Sequence, residues 1–183
     1  MAKLISAGVD TGYKNLGMGA VSFDTETLKM EAVHMDYVLT SSDSAIHERL
    51  LALSMATVQM ANLVNPHVSC VERYFAHKIG RKGKSAIYDP NAQGMYMAMG
   101  VVMLALRHCK PVIAKPQYAK TAVTGNSKAN KDEVDAGVRR ILNIDYAIDN
   151  EHIADALALA IARIFETPVY KKSGCLLHLP LFA

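Results

Sequence analysis

Three strand-like segments follow one another at the start of the chain, before any helical pattern begins. Leu4–Val9 is an apolar run that ends at Asp10 and is broken by Gly12, and Leu16–Phe23 is the second such run. Residues 24–27 carry the acids and hydroxyls of a turn, and Leu28–Leu39 is the third run. Successive strands with short connections pair antiparallel, so the pattern predicts an antiparallel meander.

The apolar period then changes to that of helices, with two short strands between them. The predicted helices are Ser44–Leu63, Asn91–Cys109, Lys131–Leu142 and Glu151–Phe165, and the predicted strands are Val68–Val71 and Pro111–Ala114. This alternation predicts a single α/β domain over residues 1–183, with a mixed sheet and helices on both of its faces. The apolar tail 176–183 is expected to need a surface to cover.

Composition excludes several classes of protein. Hydrophobic residues make up 51% and charged residues 20%, which excludes a disordered chain, and a net charge of +3 does not by itself indicate nucleic-acid binding. Cys70, Cys109 and Cys175 lie far apart, which favours neither a disulfide framework nor a zinc site. Met1–Ala7 carries no signal-peptide pattern, and Met95–Leu106 is too short to span a bilayer. We therefore expect a cytoplasmic protein without a membrane partner.

Two carboxylates stand at the ends of predicted strands. Asp10 begins an Asp-Thr-Gly turn, and the nearby Gly12 and Gly17 leave room for a phosphate to approach the backbone. Glu72 follows the strand that starts at Val68. Each has an ordinary alternative, since Asp10 can simply start a turn and Glu72 can be a solvated strand end.

Asp155 is harder to explain by local structure. It lies three residues after His152, so the two share one helix face, and the residues after it are almost all apolar. A buried carboxylate needs compensation from a metal ion or an arginine. Helix capping or the helix dipole explains Asp149 and Glu151 better than Asp155, and His152 alone can be a structural histidine.

Three carboxylates and a histidine at the ends of apolar elements can converge at one site. Their mutual repulsion would raise the carboxyl pKa values unless divalent cations were bound. Two such ions about 3.5–4 Å apart can activate a water and stabilise a leaving 3′ oxygen. The pattern therefore predicts hydrolysis of a phosphodiester.

A short basic loop follows Glu72. Lys78, Arg81, Lys82 and Lys84 lie within it, where DNA phosphates would have to approach an acidic site, although a solvated loop is the alternative. The Met-rich helix after this loop is apolar on more than one face, which predicts burial in the core and at a dimer interface.

Four ordered blocks resemble the RuvC family of Holliday junction resolvases. They are Gly8–Gly12 with Leu16-Gly17, Val71–Phe75, Pro116–Gly125 with Lys131, and His152–Ala158. Blocks in this order and spacing are far more specific than any one of them, and they cover the chain roughly from Leu4 to Phe165.

The resemblance implies a homodimeric nuclease of RNase H-like fold that cuts a four-way DNA junction symmetrically, with two Mg²⁺ ions in each site and Mn²⁺ as a substitute. It places the metal ligands at Asp10, Glu72, His152 and Asp155, and it places Lys120 and Lys131 near the scissile phosphate. Phe75 matches an aromatic residue that inserts at the junction, although a phenylalanine in the core is the alternative, and its neighbour Tyr74 is expected to contact DNA. Many members carry Asp at the position of His152, and others carry His. The loop His77–Ser85 and the apolar tail depart from the family pattern, which leaves sequence preference and any motor-protein partner open.

Three other functions share part of this sequence pattern. Actin-like ATPases share an opening Asp-x-Gly turn, but they need a duplicated domain and a second such turn. The YqgF-type proteins that act on RNA share the fold and the opening motif. A junction-binding module without catalysis would have a broken ligand set, whereas this chain carries all four ligands.

Overall fold

The computed structural model describes residues 3–74 and 90–175. The strands are β1 (Lys3–Thr11), β2 (Asn15–Asp24), β3 (Met30–Leu39), β4 (Val68–Glu72) and β5 (Pro111–Ala114). The helices are α1 (Ile46–Val64), α2 (Pro90–Ala105), α3 (Pro116–Thr124), α4 (Lys131–Leu142), α5 (Glu151–Glu166) and α6 (Pro168–Ser173).

The five strands form one mixed sheet in the order β3-β2-β1-β4-β5. β1, β2 and β3 pair antiparallel, while β4 lies parallel to β1 and β5 parallel to β4. This confirms the predicted meander and the predicted α/β class.

Helices cover both faces of the sheet, as predicted. On one face Val9, Leu16 and Met18 pack against α1 and α2, and on the other Phe23 and Cys70 pack against α3 to α6. Complete burial of such apolar side chains contributes about 1.5–3 kcal/mol each, so both layers hold the sheet in place. The face covered by α5 is the one that carries the site described below.

Some element boundaries differ from the sequence prediction. β3 begins at Met30 instead of Leu28, because Leu28 takes a left-handed φ of 59° in the preceding turn. α2 ends at Ala105, and Arg107–Cys109 forms a separate 3₁₀ turn. α3 and α6 were not predicted because they are too short for a clear apolar period, with nine and six residues.

Two findings bear on the compositional expectations. All three cysteines are buried and free of disulfides. Within the described ranges, no helix combines the length and apolar character needed to cross a membrane. The expectation about the tail 176–183 falls outside the described residues.

Candidate active site

Asp10 and Glu72 stand side by side at the carboxyl ends of two central strands. β1 and β4 are parallel, and Val9 pairs with Val71, so the residues that follow them are neighbours. Both carboxylates project from the sheet face that α5 covers, because Cys70, two residues before Glu72, packs in the core of that face. The parallel pairing thus brings together two residues 62 positions apart in sequence.

Glycines in β1 and β2 allow the backbone of α5 to pack directly on the sheet. A Cβ added at Gly8 would lie 1.9 Å from the carbonyl oxygen of Ala156, and one at Gly17 would lie 2.0 Å from that of His152. The helix backbone therefore fills the space that side chains would take, and its first turn lies over the strand ends. This corrects the sequence interpretation of Gly17, whose missing side chain makes room for α5 and not for a phosphate.

The close packing of α5 on the sheet brings His152 to Asp10. Asn150 caps the helix by accepting a hydrogen bond from the backbone nitrogen of His152 at 2.9 Å. His152 Nδ1 lies 2.7 Å from Oδ2 of Asp10, and His152 Nε2 lies 3.2 Å from Nδ2 of Asn15. Since Asp10 is ionised, Nδ1 is the donor in the contact with the carboxylate. This hydrogen bond raises the pKa of His152, although burial opposes the rise.

The carboxyl groups of Asp10, Glu72 and Asp155 shift one another's pKa values. Burial raises the pKa of Asp10, but hydrogen bonds with His152 and Glu72 outweigh it, so the pKa lies below its usual value. Burial, followed by the hydrogen bond to Asp10 and the charge of Asp10, raises the pKa of Glu72 strongly. Glu72 therefore keeps its proton and donates a hydrogen bond to the carboxylate of Asp10. Burial and the charge of Asp10 raise the pKa of Asp155 to about 6.

Lys120 and Lys131 lie beside this cluster, but each has a protein partner. Lys120 Nζ donates to the carbonyl oxygen of Ala129 at 2.7 Å, and its charge favours ionisation of Glu72 and Asp155. Lys131 pairs with the carboxylate of Glu151, with 66% of its side chain exposed. Lys120 is thus half-buried within the site, and Lys131 is at its rim.

Two open clefts give access to the cluster. One, of about 440 Å³, is lined by Asp10, Thr11, Gly12, Glu72, Arg73, Tyr74, Met95, Pro116, Gln117 and His152. The other, of about 330 Å³, is lined by Asp155, Glu151 and Lys131 among others. Tyr74 packs edge-on against Tyr96, with 5.6 Å between ring centroids. The acidic residues can therefore be reached by a large ligand at the surface.

The chemistry of the donor set fits Mg²⁺ or Mn²⁺. Three carboxylates and one imidazole are the hard oxygen and nitrogen donors that these ions take. Among residues 3–74 and 90–175, no three His, Cys, Asp or Glu side chains already surround a single point. Instead, Asp10 hydrogen-bonds to both His152 and Glu72.

The structure places Asp10 in contact with both Glu72 and His152, and it places Asp155 and the two predicted lysines close enough to interact with them through charge. Phe75 and the basic residues Lys78, Arg81, Lys82 and Lys84 lie outside the described residues. Sequence reasoning missed Asn15, because its contact with His152 spans 137 residues and an Asn in a turn has an ordinary local explanation.

Known proteins of one family match this chain over most of its length. The family model described as crossover junction endodeoxyribonuclease RuvC matches residues 6–163. RuvC of Rhodococcus opacus (strain B4) is 36% identical over 167 residues, which is 90% of this chain and 83% of that protein. RuvC of Mycobacterium tuberculosis (strain CDC 1551 / Oshkosh) is 33% identical over 163 residues, which is 88% of this chain and 81% of that protein.

Solved structures agree with this match. Thermus thermophilus RuvC superposes with a TM-score of 0.74 and 27% identity over 94% of this chain and 98% of that one. The structure of T. thermophilus RuvC in complex with a Holliday junction substrate gives a TM-score of 0.73 with 25% identity over the same shares. The yeast mitochondrial Holliday junction resolvase Ydc2, at 14% identity and a TM-score of 0.56, shares the fold.

Proposed function

Because the chain belongs to the RuvC family of crossover junction endodeoxyribonucleases, and is a metal-dependent enzyme that resolves four-way DNA junctions, we propose that Asp10, Glu72, His152 and Asp155 form its active site. The observation that carries this assignment is convergence. β1, β4 and α5 each end or begin at one place, and each delivers an acidic or imidazole side chain there.

The proposed cofactor is a pair of Mg²⁺ ions, for which Mn²⁺ can substitute. Two divalent cations in such a site supply a water-derived nucleophile and stabilise the leaving oxygen of the phosphodiester. Asp10 is the central ligand of this proposal, since it contacts both His152 and Glu72. A nitrogen ligand suits Mn²⁺ better than Mg²⁺, so we expect higher activity with Mn²⁺.

The hydrogen bonds of Glu72 and His152 indicate which protons metal binding would displace. Glu72 carries a proton toward Asp10, and His152 donates through Nδ1 to the same carboxylate. Both protons must leave before these atoms can act as ligands, because metal ligands bind in their deprotonated forms. The charges of Lys120 and Lys131 favour the ionised carboxylates. Both lysines are proposed to exchange their present partners, the Ala129 carbonyl and the Glu151 carboxylate, for phosphate oxygens when DNA binds.

DNA binding is proposed to extend from this site across the surface beside it. Tyr74 lines the larger cleft next to Glu72, and Phe75 follows it in sequence. An aromatic side chain can replace base stacking that is lost when a junction opens, worth about 1–3 kcal/mol per base. The basic residues of the loop, Lys78, Arg81, Lys82 and Lys84, are proposed to hold DNA phosphates without reading sequence.

The homodimer is proposed to form through α1 and α2, which pack against each other. Leu51 and Met55 on α1 are 59% and 53% exposed, and Met97 and Leu104 on α2 are 50% and 64% exposed. Large apolar side chains gathered on one surface mark an interface. Two copies related by a two-fold axis would present one active site to each scissile phosphate of a junction.

The test is cleavage of a synthetic four-way junction by wild-type protein and by Asp10→Asn. With Mg²⁺ or Mn²⁺ the wild type should nick two opposing strands symmetrically, and a chelator should stop the reaction. Asp10→Asn should lose cleavage and keep junction binding, because phosphate contacts carry the affinity. Asp43→Asn, an exposed acid in the loop before α1, is the matched control and should cut normally.

Two outcomes would contradict this assignment. Cleavage by Asp10→Asn near the wild-type rate would remove Asp10 from the site. Loss of junction binding together with cleavage, at a lowered melting temperature, would give Asp10 a folding role instead.

A further inference from the structure

We propose that Asn15 is a positioning residue that orients His152 so that Nδ1 faces Asp10. The Asn15 amide lies 3.2 Å from Nε2 of His152, and the opposite ring nitrogen lies 2.7 Å from Asp10. The imidazole is therefore held at both nitrogens, one by the carboxylate and one by the amide. This inference rests on the proposed function, because it assigns Asn15 a role toward a proposed metal ligand.

The amide of Asn15 is placed by a turn that is itself anchored on one side by Arg49 of α1 and by Thr40, the residue after β3. The guanidinium of Arg49 stacks on the ring of Tyr13 at 3.6 Å and donates to the Tyr13 carbonyl oxygen at 3.1 Å. Thr40 donates through its hydroxyl to the same carbonyl at 2.8 Å and through its backbone nitrogen to the carbonyl of Lys14 at 2.9 Å. Arg49 and Thr40 thus hold in place the two residues that precede Asn15.

The other side of the turn is packed against α2. The backbone nitrogen of Tyr13 donates to Sδ of Met95 at 3.1 Å. A Cβ at Gly94 would lie 2.6 Å from the Tyr13 ring, so the ring lies directly on the α2 backbone. A turn fixed from both sides gives the Asn15 amide a defined position.

Imidazole chemistry explains why that position matters. In neutral histidine one ring nitrogen carries the proton and the other offers a lone pair, and the partner of one nitrogen decides the state of the other. With the Asn15 amide nitrogen toward Nε2, the proton is on Nδ1 and bonds to Asp10. If the Asn15 amide is rotated by 180°, its oxygen accepts a hydrogen bond from Nε2–H instead. Nδ1 then carries a lone pair, which points toward the position that Asp10 occupies.

The turn itself does not need this amide. The backbone of Asn15 pairs with Leu39 at the start of the β2–β3 ladder. Its carbonyl oxygen packs against Gly12, where a Cβ would lie only 2.0 Å away. Removing the side chain therefore leaves the backbone contacts of the turn in place, and a loss caused by Asn15→Ala would report on His152.

The first readout needs no metal and no cleavage. Nitrogen chemical shifts of isotope-labelled histidine report which ring nitrogen of His152 carries the proton. We expect the Nδ1–H tautomer to dominate in the wild type and a mixture of tautomers in Asn15→Ala, where nothing fixes the second nitrogen. In Asn15→Asp both ring nitrogens should carry a proton, because a carboxylate then accepts from each of them. A single unchanged tautomer in Asn15→Ala would overturn the inference.

The second readout is the Mn²⁺ concentration needed to raise the melting temperature. Removing the partner of a ligating histidine weakens metal affinity about 10–100-fold, so Asn15→Ala should need that much more Mn²⁺. Asn15→Asp should restore most of the affinity. Lys14→Ala, which changes an exposed side chain in the same turn, is the matched control and should behave as wild type.

A double-mutant cycle separates positioning from a general effect on the turn. In a His152→Asp background there is no imidazole to orient, so Asn15→Ala should not change the Mn²⁺ requirement further. An equal loss in both backgrounds would overturn the inference. If the wild type showed no response to Mn²⁺, the proposed metal site would fail, and the tautomer of His152 would still decide the role of Asn15.

Discussion

Replacing Gly17 by alanine tests whether the close packing of α5 on the sheet sets the geometry of the site. The added Cβ would lie 2.0 Å from the carbonyl oxygen of His152 and 2.4 Å from its carbonyl carbon. Real Cβ contacts essentially never fall below 3.0 Å, so the start of the helix must withdraw by 1.0 Å or more. The neighbouring atoms are backbone, and no side-chain rotation can relieve the contact.

This movement acts on the contact between His152 and Asp10. Their 2.7 Å hydrogen bond would lengthen to the limit of hydrogen bonding or beyond. A misplacement of about 1 Å in a catalytic group can lower the rate about 100-fold, and we expect a loss of that size. Overpacking of this kind costs about 1–3 kcal/mol of stability, which lowers the melting temperature by about 2–12 °C.

The assay is single-turnover junction cleavage, performed well below the melting temperature so that the variant is folded. The melting temperature of the same variant, measured beside cleavage, is the control for stability. A folded Gly17→Ala protein that cuts at the wild-type rate would show that the close packing of α5 on the sheet does not determine the position of His152.

Two further predictions concern the dimer and the acidic cluster. Leu104→Glu should convert the proposed dimer to a monomer, as measured by light scattering, whereas Ile113→Glu, at an exposed apolar position on β5, should leave that dimer intact; a dimeric Leu104→Glu would exclude this face. In metal-free protein, burial raises the pKa of Asp155 to about 6, so its ionised form destabilises the fold, and Asp155→Asn should raise the melting temperature. That gain should be absent below pH 3.8, where the carboxyl is protonated in both states, should grow up to about pH 6, and should then stay constant; a gain independent of pH would contradict it.

The fold was predictable because local patterns and global architecture agree. The strand runs in residues 4–39 are bounded by turn residues, and the later helices have a clear apolar period. The short helix α3 escaped that test, although Pro116 at its first position and Gly125 just after it are recognised helix-end signals. Short elements leave capping residues as their main signal, and these deserve equal weight with periodicity.

The charged residues of the proposed site stand out in the sequence, but the residues that place them do not. Asp10, Glu72 and Asp155 stand out because a carboxylate next to apolar sequence needs a reason. Gly17 and Gly19 alternate on one face of β2, and glycine inside a strand signals a close approach by another backbone. The sequence carries that signal, but it does not say that α5 is the approaching element.

The turn that carries Asn15 links the proposed active site to the proposed dimer surface. Arg49 on α1 and Met95 on α2 hold this turn, and the same two helices expose the apolar side chains assigned to the interface. A symmetric junction offers two scissile phosphates at a fixed separation, so the two active sites of a dimer must keep a matching separation. The contacts that run from the interface helices through this turn to His152 meet that requirement, because they connect the proposed dimer contact directly to the proposed ligand.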